Sequence, residues 1–377
     1  MQTDNEIVQL RKELHQHPEI SGEEFATKER IIHFFNTLQP DDTIHLGKTG
    51  VAFVFNGRSS GKTVMLRCEL DALPIQEKNT IEHLSKTNGK AHLCGHDGHM
   101  SILAAVGKYL SKNRPEKGRI VLLYQPAEEN GEGAKEVLAD ANFKKIIPDF
   151  AVSLHNVPGY PKGQIVYKYN NFTPSVTSII LHFTGKTSHA AEPHKGFNPS
   201  LAIAAITQYA VGLQRNMEDD EQYSVVTPVF THIGSKAYGT SAGLGETHFT
   251  IRTLNNECTK HFAHQIIEKA TNLAQQHQLE LNVAFTESFE ANENNEEIVN
   301  TIKQVAEEQG FSTIEKKSPF PWGEDFGLFT TTYKGAMFGL GSGEDTPRLH
   351  NPDYDFPDEI APIGTAMFIN IAKKLLT

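Results

Sequence analysis

The sequence predicts an α/β protein: a mostly parallel sheet flanked by helices, with an inserted ferredoxin-like α+β domain. Three observations predict it. Apolar strand-like runs alternate with amphipathic helical patterns up to about residue 171, the order that builds a parallel layer. Between about 174 and 288 the order becomes β-α-β-β-α-β, which suits a small sheet with helices on one face. The helix–strand pattern then resumes and runs to residue 377. The expected division is 1–173 plus 289–377 for the larger domain and 174–288 for the insert.

Taken in order, Ile7, Leu10 and Leu14 recur at helical spacing until Pro18 stops the helix. A second helical pattern runs from Glu23 to Leu38, followed by strands at Val51–Phe55 and Val64–Leu70. Asp97 or Gly98 begins a helix carrying Met100, Leu103, Val106 and Leu110. Arg119–Tyr124 is an apolar strand, Gly133–Ala139 a short helix, and Phe150–Leu154 a fourth strand of the layer, ending at His155. In the insert, Ser178–Phe183, Tyr223–Ile233, His248–Thr253 and Leu279–Phe285 read as strands, Pro199–Leu213 and Glu257–Gln276 as helices. The Asn/Glu cluster at 291–297 reads as a connector, and Ile360–Leu376 is the final helix.

Composition narrows the function. A chain of 377 residues buries two cores. A net charge of −11 without a basic stripe argues against a nucleic-acid partner. No apolar run approaches the ~20 residues of a spanning helix, and Met1–Glu6 lacks the basic and apolar regions of a signal peptide. Cys68, Cys94 and Cys258 are an odd, sparse set that fits a reducing cytoplasm, and Cys68 and Cys258 are expected to be buried small residues.

In an open α/β sheet, ligands bind beyond the carboxyl ends of the strands. Glu69 and Asp71 end one strand, Glu128 and Glu129 lie just past another, and His155 ends a third. Cys94 and His96 precede a helix, with Gly95 and Gly98 allowing close backbone approach and the helix amides favouring a thiolate. With His350, these segments supply sulfur, imidazole and carboxylate donors, a set suited to zinc-type sites. Five ligands and a bridging carboxylate exceed what one tetrahedral zinc takes, whereas two ions roughly 3.5–4 Å apart would use them all. One of two adjacent glutamates can bind metal while the other takes a proton from the attacking water. Each residue has a plainer alternative: a buried Cys beside a satisfied His, a solvated acidic loop, a capped core His, or a strand-end turn residue for Asp71. Two patterns are rejected. Gly239–Gly243 matches Gly-x-Ser-x-Gly but leads into a strand, not a helix. Gly57–Thr63 is one residue short of a P-loop, also leads into a strand, and reads as a hairpin turn.

The chain resembles the amidohydrolase/aminoacylase metallopeptidase family, in its hippurate hydrolase and indole-acetyl-amino-acid hydrolase-like branch, which also holds N-acetyl-diaminopimelate deacetylases. The likeness rests on Leu14–Glu19, Glu69–Ile75, Cys94–His99, Gln125–Glu129, Ser188–Ala191, Gly323–Phe326 and His350–Phe356. The resemblance implies a two-metal exopeptidase-like catalytic domain and a lid/dimerisation insert. It implies Cys94, His96, Glu129, His155 and His350 as ligands of two divalent ions (Zn, Mn, Co or Ni). It makes Glu128 general base and then proton donor, with Asp71 orienting the ligands. His189 would polarise the scissile carbonyl in a partner subunit of a homodimer; its plainer alternative is a lid-surface residue. Arg252 would bind the substrate carboxylate, or else is a surface strand residue. The implied reaction is hydrolysis of the amide of an N-acyl amino acid of hippurate or N-acetyl type. Dipeptide trimming and non-catalytic metal binding are the alternatives. Two departures stand out: Glu69 where Asp is usual, and Tyr238–Leu244 in place of an Asn-x-Ile-Pro segment.

Overall fold

The computed structural model describes residues 4–215 and 223–377; the first three residues of the stretch read for a leader lie outside them. The chain forms two compact units: Met1–Phe172 with Asn292–Lys317 and Glu324–Thr377, and Thr173–Ala291 with Ser318–Gly323.

The first unit opens with helices α1 (Asn5–Gln16) and α2 (Phe25–Asn36). Asp4 caps α1 by accepting from Glu6 N at 3.1 Å, and Ile7, Leu10 and Leu14 bury its inner stripe. Then come β1 (Asp42–Leu46), β2 (Gly50–Asn56), β3 (Ser59–Glu69), α3 (His96–Lys112), β4 (Lys117–Gln125), α4 (Gly133–Ala139), β5 (Phe150–Pro158), β6 (Ile165–Tyr167) and β7 (Asn170–Thr173). The second unit holds β8 (Ser175–Thr184), β9 (Ser188–His189), α5 (Ser200–Gly212), β10 (Ser224–Ile233), β11 (Thr240–Ser241), β12 (Leu244–Thr253), α6 (Asn256–Gln276) and β13 (Glu280–Phe289). The chain ends with β14 (Asn292–Asn294), α7 (Glu296–Glu308), β15 (Thr313–Glu315), α8 (Gly327–Thr332), β16 (Lys334–Gly343) and α9 (Ala361–Leu376) in the first unit.

The large sheet has the order β1-β2-β4-β3-β5-β16-β6-β15. Its centre, β4-β3-β5-β16, is parallel throughout. The apolar runs of β2, β4 and β5 are buried almost end to end, as strands covered on both faces must be. Helices α1, α3, α7 and α9 pack together, and α3 and α9 seat on β3. The second unit is an antiparallel sheet of order β10-β12-β8-β13, a ferredoxin-like arrangement. Alternate residues Ile179, Leu181 and Phe183 of β8 pack with Phe249 and Ile251 of β12 against Ile203, Ile206 and Ile266 of α5 and α6. Among the described residues no helix is long and apolar enough to cross a membrane.

Four readings of the sequence need correction. His155 lies inside β5, because β16 keeps pairing past it, from Gly339 opposite His155 to Gly343 opposite Pro158. The Gly57 turn is no hairpin: β4 lies between β2 and β3 and pairs with both. The 291–297 cluster contains β14, paired with β7, and the start of α7. Cys258 is only half-buried, while Cys68 is buried, and all three cysteines are free thiols.

Candidate metal centre

The parallel strands β4, β3 and β5 lie side by side, so their carboxyl ends open on one edge. Glu69 is the last residue of β3, Gln125 the last of β4, and His155 sits on the outgoing part of β5. Cys94 and Gly95 lead into α3, whose first residue is His96. Gly95 has φ +93°, and a Cβ there would stand 2.4 Å from Asn156 Oδ1, so glycine is what lets this turn pass β5. His350, also left-handed at φ +66°, donates its amide to Leu93 O at 2.8 Å, which ties its segment to the one carrying Cys94.

Cys94 Sγ is 3.5 Å from His155 Nε2. His96 Nδ1 donates to Asp71 O at 2.9 Å, which aims Nε2 the other way, 3.8 Å from both Glu128 Oε2 and Glu129 Oε1. His350 Nε2 is 3.6 Å from Glu129 Oε2. Asp71 Oδ2 accepts from Ser21 Oγ at 2.7 Å and from Glu129 N at 2.9 Å. Among the described residues, the buried atoms His96 Nε2, Asp71 Oδ1 and Glu129 Oε1 have no hydrogen-bond partner. Orphaned buried polar atoms are rare and costly, and three at one spot call for a ligand. Potential donor atoms of Cys94, His96 and His155, of Cys94, Glu129 and His350, and of His96, Glu128 and Glu129 form groups within 4.8 Å, sharing members. The mixed S, N and O set fits divalent cations of the zinc type.

The electrostatics agree. Burial pushes the Cys94 thiol far up, with Glu129 and Glu128 adding to it. Burial also drives Glu128 well above the carboxylate range, helped by Glu324, Glu129 and Asp325. Burial, opposed by His96, lifts Glu129 to about 7. Burial holds His155 well below its usual value, whereas Asp71 and Glu69 overcome burial to raise His96 to about 10. Burial is the leading cause of the rise at Cys94, Glu128 and Glu129, and a divalent cation bound among them would favour their charged forms.

Four neighbours carried no assigned role in the sequence reading. His99 Nδ1 meets Glu69 Oε2 at 2.6 Å. Arg67, fully buried, pairs with Glu69 and reaches Asp325 Oδ1 at 2.6 Å and Glu324 Oε1 at 3.0 Å. Arg67 and Glu69 stand two apart in an apolar strand and so share a face, which is the sequence signal for a buried ion pair. Nothing local in the sequence points from Arg67 to Glu324 and Asp325.

Cys94, His96, Glu128, Glu129, His155, His350 and Asp71 thus gather within the first unit. His189 and Arg252 belong to the second. His189 is exposed on β9, its Nδ1 accepting from Ala191 N at 3.0 Å. Arg252 is half-buried on β12, with Nη1 donating to Pro321 O at 3.3 Å.

A profile of peptidase family M20/M25/M40 matches residues 65–374. The chain belongs to this family. Among its M20 relatives, the N-acetyldiaminopimelate deacetylase of Listeria innocua is 30% identical over 374 residues, covering 98% of this chain and 99% of the relative. The hippurate hydrolase of Campylobacter jejuni is 29% identical over 377 residues, covering 98% and 97%. A crystal structure of the Bacillus subtilis YXEP protein, described as a dinuclear metal binding peptidase of the M20 family, superposes with a TM-score of 0.84 at 26% identity, covering 98% of both chains. A putative aminohydrolase from methicillin-resistant Staphylococcus aureus shares the fold at a TM-score of 0.88 and 22% identity, covering 98% and 96%. This M20 chain is accordingly a hydrolase with groups fit to hold metal.

Proposed function

We propose that this chain is a metal-dependent amidohydrolase that cleaves the amide bond of N-acyl amino acids, of the hippurate or N-acetyl type. The observation that carries the reading is a buried carboxylate, Glu128, beside two donor groups that do not include it, Cys94–His96–His155 and Cys94–Glu129–His350. Cys94, His96, Glu129, His155 and His350 would hold two divalent ions (Zn, Mn, Co or Ni), with Asp71 orienting His96 and the Glu129 amide. Bound there, such ions supply Lewis-acid polarisation of the carbonyl and a lowered water pKa. Glu128 takes a proton from water as its oxygen attacks the acyl carbon, then delivers that proton to the amine nitrogen as the C–N bond breaks. The acyl group leaves as a carboxylic acid and the amino acid as a free amine. Arg252 is assigned to the substrate carboxylate. In this reading the protein is a homodimer, and His189 of one subunit polarises the carbonyl in the other. The names of the Listeria innocua and Campylobacter jejuni relatives support this substrate class, and three free thiols suit the cytoplasm.

The test is Glu128→Gln. It should keep its metal and lose turnover by about 10²–10⁴-fold, the usual reach of a general base. Near-wild-type turnover sinks the assignment. Hippurate, N-acetyl amino acids and dipeptides assayed side by side decide the substrate, and a preference for dipeptides would overturn the acyl-amino-acid reading.

A further inference from the structure

The loop carrying Glu128 and Glu129 leaves β4 at Gln125 and enters α4 at Ala134, next to its first residue. One carboxylate holds both ends. Asp325 Oδ2 accepts from Ala134 N at 2.8 Å and from Gln125 Nε2 at 2.8 Å. Its Oδ1 lies 2.9 Å from the same Nε2 and 2.6 Å from Arg67 Nη2. The neck is tight. Gly133 N donates to Ala127 O at 3.0 Å, and a Cβ on Gly133 would stand 1.6 Å from Pro126 O. Beyond the neck, Ala127 adopts φ +49°, a left-handed conformation that alanine takes only when its surroundings impose it. Its amide donates to Glu24 Oε1 at 2.8 Å, and the Glu129 amide to Asp71 Oδ2 at 2.9 Å. Three buried carboxylates therefore fix this loop, and Asp325 alone grips both of its ends.

Donor atoms of Glu128, Glu324 and Asp325 also lie within 4.8 Å of one another. That trio is no further cation site, because Arg67 Nη2 already stands against Glu324 and Asp325 as their counter-charge.

We infer that Asp325 is a positioning residue for Glu128: it closes the neck of the loop and so sets where the Glu128 carboxylate stands relative to His96 and Glu129. The inference rests on the proposed role of Glu128. A general base on a short loop acts only within a narrow geometric window, and a displacement near 1 Å costs about a hundredfold in rate. Every partner of Asp325 is a donor, namely Arg67, Gln125 and Ala134. An asparagine there must turn its NH₂ either onto Ala134 N, which opens the neck directly, or onto Arg67, which removes the ion pair that holds the side chain in the neck, although the side chain keeps its size.

Asp325→Asn should retain wild-type metal content, hold KM near its wild-type value, and lower kcat by about a hundredfold on the substrate the panel identifies. In metal-free protein, amide hydrogens across 126–134 should exchange faster than in wild type. Gln125→Met removes one leg and leaves the Asp325–Arg67 pair, so it should show the same pattern at roughly a tenfold loss in kcat. Asn294→Ala removes a buried side chain that bridges to Met337 in β16; it should lower thermal stability without touching kcat. An Asp325→Asn protein with unchanged kcat, or with unchanged exchange across 126–134, overturns the inference. If that variant does not fold, the same two outcomes for Gln125→Met decide it. The exchange measurement needs no activity, so it judges the clamp even if Glu128→Gln keeps its turnover and the proposed function falls.

Discussion

His96 and Asp97 are consecutive on the first turn of α3, yet their side chains enter two different buried clusters. Asp97 meets His15 Nδ1 at 2.8 Å and Arg11 Nη1 at 3.4 Å; His15 Nε2 reaches Glu77 Oε1 at 3.1 Å, and Arg11 continues to Asp355 at 2.6 Å and Asp358 at 2.9 Å. There each charge meets its opposite. Burial opposes both shifts, but His15 and Arg11 hold the Asp97 carboxyl well below its usual range, while Asp97 and Glu77 raise His15 to about 9. On the other side burial wins at the paired glutamates and the thiol, where Glu128 and Cys94 are driven up and Glu129 reaches about 7, although Asp71 and Glu69 still overcome it at His96. Among the described residues, one cluster sets its acids against Arg11 and His15 and leaves only Asp97 Oδ1 of its ion-pair atoms without a partner; the other leaves atoms of His96, Asp71 and Glu129 unpartnered and is a set of donors open to a bound cation. Two adjacent residues of similar burial are told apart by the balance of charge around them.

Chelation should separate the clusters most sharply. Stripping divalent ions should abolish turnover and lower the melting temperature, since ions at a hundredfold over their Kd stabilise by roughly 3 kcal/mol. Added Zn, Mn, Co or Ni should restore both. Stability indifferent to chelator would mean that the orphaned atoms of His96, Asp71 and Glu129 do not hold metal.

Asp97→Asn attacks the other side. Removing one partner of a buried ion pair leaves an uncompensated charge, worth about 3–5 kcal/mol. Arg11 and His15 keep Asp355, Asp358 and Glu77, so the lower figure is expected. Urea unfolding should show the same loss in chelated and metal-loaded protein. A loss that appears only when metal is present would make the two clusters one.

Much of this was legible in the sequence, for reasons that also mark where reading stops. The Cys94–His96 pair announced itself through Gly95 and the helix that follows, because positive φ and close approach select glycine locally. The outer bounds of β5 did not, since Asn156 and Pro158 look like strand breakers. Their pairing is supplied by β16, far along the chain, whose Gly339, Gly341 and Gly343 run beside them. The Gly57 turn misled for the same reason: which strand pairs with β2 is decided by β4, not by the turn. Asp325 lies 258 positions from Arg67, and no local periodicity records such a contact. Sequence displays what the backbone needs nearby and hides what side chains find at a distance.

The smallest effect is the most specific to the Asp97 cluster. His15 has a folded value of about 9 against 6.5 unfolded, so its imidazolium stabilises the fold. A raised value means that this contribution is whole below about pH 6.5 and fades as pH climbs through about 9. Asp97, held low, works in the opposite sense: its contribution is present above an unfolded value of 3.8 and is lost only in acid. Nothing from Asp97 therefore masks the alkaline decline. His92, which burial pushes down to about 4, stays neutral across the window, and Arg11 stays charged. At about 1.36 kcal/mol per unit, the His15 contribution lost between about pH 6.5 and 9 is at most about 3.4 kcal/mol. The ligand cluster titrates in the same interval, so the informative quantity is a difference. The stability of chelated wild type minus that of chelated His15→Asn should shrink steadily from about pH 6 to pH 9.5. A difference that stays flat would place His15 neutral in the fold, and the Asp97 cluster would then be held by Arg11 alone.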